Sequence, residues 1–264
     1  MKAYFFDIDG TLVSFKSHLI PQSAIDALHG IKEQGHLVII ATGRPKSIIN
    51  NLNQLDELGL VDGYITMNGG YTYVGDKVLT SNPIPHEDLQ DIISYTRQLG
   101  VTNVYMFENE EKYLVRESEQ YKYIFYDMLN IAHIPCSEET IEEVLANRTL
   151  FQITTFVNKE QEAVLSQKMK GSAFTRWHPY FLDIIGKGNT KQKGIEAICE
   201  YFHIKKEDTF AFGDGGNDIS MIQYAGTGIA MGNATDDVKV AADYVTDSVD
   251  DNGIFNALKN LNQI

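Results

Sequence analysis

Short, continuously apolar runs recur along this chain, at residues 4–6, 37–41, 64–66, 210–212, 228–230 and 244–245, and each is followed by a helix-compatible segment. A strand that alternates apolar and polar residues needs one covered face, whereas a strand that is apolar throughout needs two. Runs of the second kind separated by helices fold as a parallel sheet with helices on both faces. The expected class is therefore α/β, with a Rossmann-like doubly wound parallel sheet as the core. Residues 83–184, between the third and fourth runs, differ in texture and open with the turn cluster Ser81-Asn82-Pro83-Ile84-Pro85. Strands are expected there at 104–107, 113–116, 151–156 and 181–185, partly as hairpins, and helices at 87–99, 138–146 and 159–169. Hairpins and paired helices predict an inserted α+β domain with a mainly antiparallel sheet. Residues 1–82 and 185–264 would then form the core.

The 264 residues carry 22 Lys plus Arg against 36 Asp plus Glu, a formal charge of −14, and the inserted segment and the remainder each contribute −7. No basic face is concealed in either part, which argues against nucleic acid as a partner. With 43% hydrophobic residues the chain has enough apolar surface to build real cores. Cys136 and Cys199 stand too far apart for a metal-ligand pair and too few for a disulfide framework, so a reducing compartment is expected. The opening MKAYFFDIDG reaches Asp7 and Asp9 before any signal core could form, and the uncharged stretch 219–235 is broken by Gly226, Gly228 and Gly232. The expectation is a cytoplasmic protein with no membrane segment.

The chemistry-bearing residues gather where strands are expected to end. After the first run come Asp7, Ile8, Asp9, Gly10, Thr11 and Leu12, and a spacing of two in extended chain turns both carboxylates to one side. A local Asx turn would use the same residue types, while a calcium loop would want its glycine at the sixth position rather than the fourth. Gly213-Asp214-Gly215-Gly216-Asn217-Asp218 follows the run at 210–212, with glycines that admit close approach and acids that offer hard oxygen ligands. A tight turn with an acidic helix cap is the alternative. Thr42, Gly43, Arg44 and Pro45 follow the second run, where a hydroxyl and amides at a helix start suit an anion. Lys191 opens a further helix, a position the helix dipole disfavours unless an anion is near.

Taken in order, the Asp-x-Asp-Gly-Thr opening, Thr42-Gly43, Lys191 and Gly-Asp-Gly-Gly-Asn-Asp resemble the four motifs of the haloacid dehalogenase superfamily of phosphohydrolases. Thr42-Gly43-Arg44, the Asn68-Gly69-Gly70 turn and the placement of the insertion resemble its Cof-like branch, mostly sugar-phosphate phosphatases. The resemblance spans essentially the whole chain. It implies Asp7 as the nucleophile that takes the phosphoryl group and Asp9 as general acid and then base. Mg²⁺ would be held by Asp7, Asp214 and the Asp9 main-chain carbonyl, with Asp218 bound directly or through water. Thr42, Gly43, Lys191 and Asn217 would grip the phosphoryl oxygens, although Lys187 and Lys193 compete with Lys191. The insertion would act as a lid that selects a small phosphorylated substrate, foremost a sugar phosphate. Arg44, Asn68, Arg176, Trp177 and His178 are candidates for substrate contacts, and the aromatic and cationic hairpin at 174–181 also reads as ordinary sheet packing with a solvated turn. A monomer or weak homo-oligomer is expected. The rival readings are a phosphotransferase or mutase on the same scaffold, a phospho-aspartate signalling module, and a non-catalytic sugar-phosphate binder.

Overall fold

The structure is a computed structural model that describes residues 1–49, 52–107, 112–114, 116–131, 134, 141–145 and 148–264. Five strands open the chain: β1 (Ala3–Phe6), β2 (Leu37–Ala41), β3 (Gly63–Thr66), β4 (Tyr71–Val74) and β5 (Lys77–Ser81). Five more follow, β6 (Asn103–Phe107), β7 (Lys112–Leu114), β8 (Leu150–Thr155), β9 (Ser172–His178) and β10 (Phe181–Gly186), before β11 (Thr209–Gly213), β12 (Thr227–Ala230) and β13 (Tyr244–Val245) close the chain. They form two sheets, in the orders β13-β12-β11-β1-β2-β3-β4-β5 and β7-β6-β8-β10-β9.

In the first sheet all six apolar runs lie side by side and parallel. Their alternate side chains enter two different cores, which is why each run is apolar throughout. Tyr4, Phe6, Val38, Ile40, Phe210 and Phe212 pack against helices Gln22–Glu33 and Gly253–Asn260. Ala3, Phe5, Ile39, Ala41 and Ala211 face Ile195 and Ile198 of helix Lys191–Phe202 and Met221 and Ile222 of helix Ile219–Tyr224. One departure from the expected sheet is the addition of β4, antiparallel to β3, with β5 beyond it at the edge.

The second sheet is antiparallel at each of its pairings. Tyr105, Phe107, Ile153, Leu182 and Ile184 pack on Leu89, Ile92 and Ile93 of helix His86–Leu99 and on Leu165 of helix Lys159–Ser166. The described part of the helix expected at 138–146 is Ile141–Leu145. A helical stretch over Glu119–Lys122 and Tyr123–Met128 was not expected from the sequence. The chain divides into two compact units, Met1–Arg44 with Ile49–Thr80 and Thr190–Ile264, and Pro45–Ile48 with Ser81–Asn189. Residues 185–189 group with the inserted unit, β10 of its sheet running on to Gly186.

Candidate active site

β1 is paired in parallel on both sides, Phe6 lying opposite Ile40 of β2 and opposite Phe212 of β11. From β1 the chain winds one way to β2 and β3, while β11, β12 and β13 occupy the other side. This is the reversal of strand order at whose carboxyl edge open α/β sheets leave a crevice. The residues that follow the three strands, Asp7, Thr42 and Asp214, therefore emerge at one edge, and the Asp7 amide donates to the Phe212 carbonyl at 3.0 Å.

Asp7, Asp214 and Asp218 each bring a carboxylate oxygen within 4.8 Å of the others. Lys191 is the cation among them. Its side chain is fully buried, and its Nζ donates to Asp7 Oδ1 and to Asp218 Oδ1, both at 2.5 Å. Burial lowers the proton affinity of the lysine, but the charges of Asp218 and Asp7 more than offset this and hold it above the ordinary lysine range. Burial and the neighbouring Asp218 charge push the Asp7 carboxyl up to about 7, against the pull of Lys191. Asp214 is also held well above the usual carboxylate range, first by burial and then by the Asp7 and Asp218 charges, although Thr11 Oγ1 donates to its Oδ1 at 2.9 Å. Asp218 has both oxygens engaged, because its Oδ2 also accepts from the amides of Asp214 and Gly215 at 2.9 Å each.

Asp9 lies apart from this carboxylate cluster. Arg44 holds it by a two-pronged ion pair, Nε donating to Oδ2 at 2.8 Å and Nη2 to Oδ1 at 2.5 Å. Arg44 is itself buried at the end of β2, where its amide donates to Thr42 Oγ1 at 3.1 Å and its carbonyl accepts from the Met67 amide at 3.3 Å. The next turn is backbone-strained: Met67, Asn68 and Gly69 take φ of 50°, 54° and 91°. Such a run in non-glycine residues persists only where its surroundings over-determine it. Here the Asn68 amide donates to the Thr42 carbonyl at 3.0 Å, and its side-chain oxygen accepts from Asn217 Nδ2 at 3.1 Å. A Cβ on Gly69 would overlap the Thr190 carbonyl, and one on Gly43 would press on the Asn68 amide at 3.2 Å. Thr42, Gly43, Asn68 and Asn217 thus form one polar cluster beside the acids.

Lys191 reaches the carboxylates, whereas Lys193 is exposed and pairs with Glu196 at 2.6 Å. Arg176, a candidate for a substrate contact, lies on β9. Its guanidinium donates to Glu162 at 2.6 Å and to the carbonyls of Val157, Pro179 and His178, within its own unit. The ring of His178 stacks on Phe181, and burial followed by the Arg176 charge lowers its proton affinity. The Trp177 side chain lies outside the described residues.

Two participants were missed. Thr11 holds Asp214, and Asn233 donates to the Gly10 carbonyl at 2.8 Å while accepting from the Val249 amide at 2.9 Å. Asn233 follows β12, and the strand-end rule that found Asp7 and Asp214 would have found it too. Gly10 sits at φ 85° against the Asp214 carboxylate, where a Cβ would overlap.

Four carboxylates face two cations in this edge, which leaves an excess of negative charge suited to a hard divalent cation. The profile of the haloacid dehalogenase-like hydrolases matches residues 4–258. YkrA of Bacillus subtilis (strain 168) is 32% identical over 261 residues, covering 98% of this chain and 97% of its own. The pyridoxal phosphate phosphatase YbhA of Escherichia coli (strain K12) is 32% identical, covering 92% and 94%. Among solved structures, the HAD subclass IIB sugar phosphatase BT4131 superposes with a TM-score of 0.93 at 45% identity, over 100% of both chains. With the motif residues gathered at the switch point of a doubly wound sheet and the match running nearly end to end, the chain belongs to the haloacid dehalogenase-like hydrolases.

Proposed function

We propose that this phosphatase hydrolyses small phosphate monoesters, sugar phosphates foremost, through a phosphoryl-aspartate on Asp7. The observation that carries the reading is Asp7 itself, a buried carboxylate at the end of the central strand, two residues before a second carboxylate and in contact with a buried lysine. In the first half-reaction an Asp7 oxygen attacks phosphorus, the ester P–O bond breaks with its electrons on the leaving oxygen, and the Asp9 carboxyl gives that oxygen a proton. In the second, Asp9 takes a proton from water as the water oxygen attacks phosphorus, and the bond to Asp7 breaks to return its carboxylate. Lys191, Thr42 and Asn217 would hold the phosphoryl oxygens while their charge redistributes, the contribution that matters most in phosphoryl transfer.

The residues present fit Mg²⁺: burial and then the neighbouring carboxylate charges raise the proton affinity of Asp7 and Asp214, a conflict that a divalent cation would relieve. Asp7, Asp214 and the Asp9 main-chain carbonyl would hold it, with Asp218 anchoring Lys191 and the Asp214 loop beneath. Bound there, the ion supplies charge neutralisation to the phosphoryl group. The inserted unit would choose among substrates, since every group assigned a chemical role lies outside Ser81–Asn189. The sugar-phosphate class is supported by the 45% identity to a sugar phosphatase, against 32% to the pyridoxal phosphate enzyme.

The test is phosphate release from a panel of phosphorylated sugars, pyridoxal phosphate and nucleotides, with and without Mg²⁺, by the protein and by its Asp7→Asn variant. Mg²⁺-dependent release that the substitution abolishes is expected. Turnover surviving in Asp7→Asn, with deamidation excluded by mass, would remove Asp7 from the role.

A further inference from the structure

We propose that Arg44 is a positioning residue for Asp9, setting the direction of its carboxyl through both half-reactions, rather than a countercharge for the phosphoryl group. The inference rests on the reading of Asp9 as the group that moves the proton. An arginine beside a phosphate site is ordinarily read as a phosphate clamp, because its planar fork matches phosphate oxygens. Here the fork is already matched: Nε and Nη2 lie on the two oxygens of one carboxylate, at 2.8 and 2.5 Å. Which partner orients the other follows from how each is anchored. The Arg44 backbone is fixed at both ends of its peptide unit, by Thr42 Oγ1 and by the Met67 amide, and its side chain is only 7% exposed. Asp9 lies beyond the end of β1, next to Gly10 at φ 85°, and its side chain is 16% exposed. The short carboxylate therefore takes its direction from the anchored guanidinium.

The pairing also suits the proton bookkeeping. While Asp9 carries its proton, one oxygen still accepts from Arg44 and the hydroxyl on the other is free to turn to the ester oxygen. When that proton leaves with the alcohol, the carboxylate regains both prongs and stands ready to take the proton of the attacking water. Arg44 gains and loses no proton at any point, and it needs no contact with phosphorus.

The consequence is a dependence on leaving group that a phosphate clamp would not show. An alcohol must be protonated as it leaves, while 4-nitrophenolate departs unaided. Burst and steady-state kinetics of Arg44→Gln and Arg44→Lys on a hexose 6-phosphate and on 4-nitrophenyl phosphate separate the two roles. For the hexose ester we expect kcat to fall about tenfold or more, within the ~10²- to 10⁴-fold that proton transfer is worth, with KM changed by less than about twofold. For the nitrophenyl ester the burst of nitrophenolate, which reports the first half-reaction alone, should slow by under about threefold, while its steady-state turnover, which still needs Asp9 as base, falls with the hexose rate. Lysine should not rescue, because one ammonium cannot span both oxygens. In an Asp9→Asn background Arg44→Gln should cost nothing further on the hexose ester, since residues acting as one unit are non-additive. If instead KM for both esters and the inhibition constant of inorganic phosphate rise together, Arg44 is a phosphate clamp and the proposal fails. It fails also if the loss adds in full to that of Asp9→Asn, or if lysine restores the hexose rate. Circular dichroism melts confirm folding, and Arg44→Lys carries the test if Arg44→Gln does not fold. Failure of the underlying function looks different: Asp7→Asn would then retain turnover on both esters.

Discussion

Asp7 is held where its own ionisation is opposed, and that has a measurable sign. With its carboxyl raised to about 7, the metal-free native state keeps a proton that the unfolded chain gives up near the ordinary value of ~3.9. Between those values the native state binds more protons, so stability is fully present at the acid end and declines as pH rises through 7. Thermal melts in chelator should give a lower midpoint at pH 8 than at pH 5, and the gap should narrow in Asp7→Asn, whose amide does not titrate. Adding Mg²⁺ at pH 8 should raise the midpoint by mass action, ~2.7 kcal/mol at a hundredfold excess over Kd, and Asp214→Ala should abolish the gain. A wild-type midpoint that rises with pH in chelator would contradict the assigned cause. Asp7, Asp9, Asp214 and Lys191 were legible because each follows a strand or opens a helix, where the sequence announces position as well as residue type. The role of Thr11 was not, since its contact to Asp214 spans 203 positions and follows only from strand order. Nor could residue type foretell that Arg176 donates to Glu162 and three carbonyls.

At the level of elements, the continuous apolar runs foretold the central strands because double-sided burial leaves no polar position. The hairpin of β4 and β5 escaped that criterion. Of Tyr71, Thr72, Tyr73 and Val74 only Thr72 is buried, and β5 is half-exposed or exposed along its length, so neither reads as a core strand. Gly75-Asp76 between two β-prone runs was the signal available. The same burial logic makes a prediction for β1. Phe6 is fully buried and stacks on Phe212 with ring centroids 4.8 Å apart, so Phe6→Ala should cost ~3–5 kcal/mol in denaturant unfolding. A loss below ~1 kcal/mol would mean that the core beside β1 collapses to fill the space. The turn after β1 is just as tightly specified. Gly10→Ala, which forces a Cβ against the Asp214 carboxylate, should weaken Mg²⁺ binding in a titration even where the fold survives.

For the whole molecule, the two units have separate cores, so chemistry and selection should come apart. Replacing Ser81–Asn189 by a short Gly/Ser linker should leave a protein that hydrolyses 4-nitrophenyl phosphate but no longer ranks sugar phosphates as the intact chain does. An unchanged ranking would place selection in loops such as that of Asn68. The order of the strands in the chain carries a further consequence, for synthesis. Ala3 of the central strand lies opposite Leu37 on one side but opposite Thr209 on the other. Such a pairing has high contact order and closes one of the longest loops the chain allows, the feature that slows folding most. On the ribosome β1 must wait with one edge open while β6 to β10, all partnered within Asn103–Gly186, emerge and meet each other. Asp7 precedes its partners in the chain, and its surroundings are complete only once Lys191, Asp214 and Asp218 have appeared, so a chain cut before them carries Asp7 without the groups that surround it.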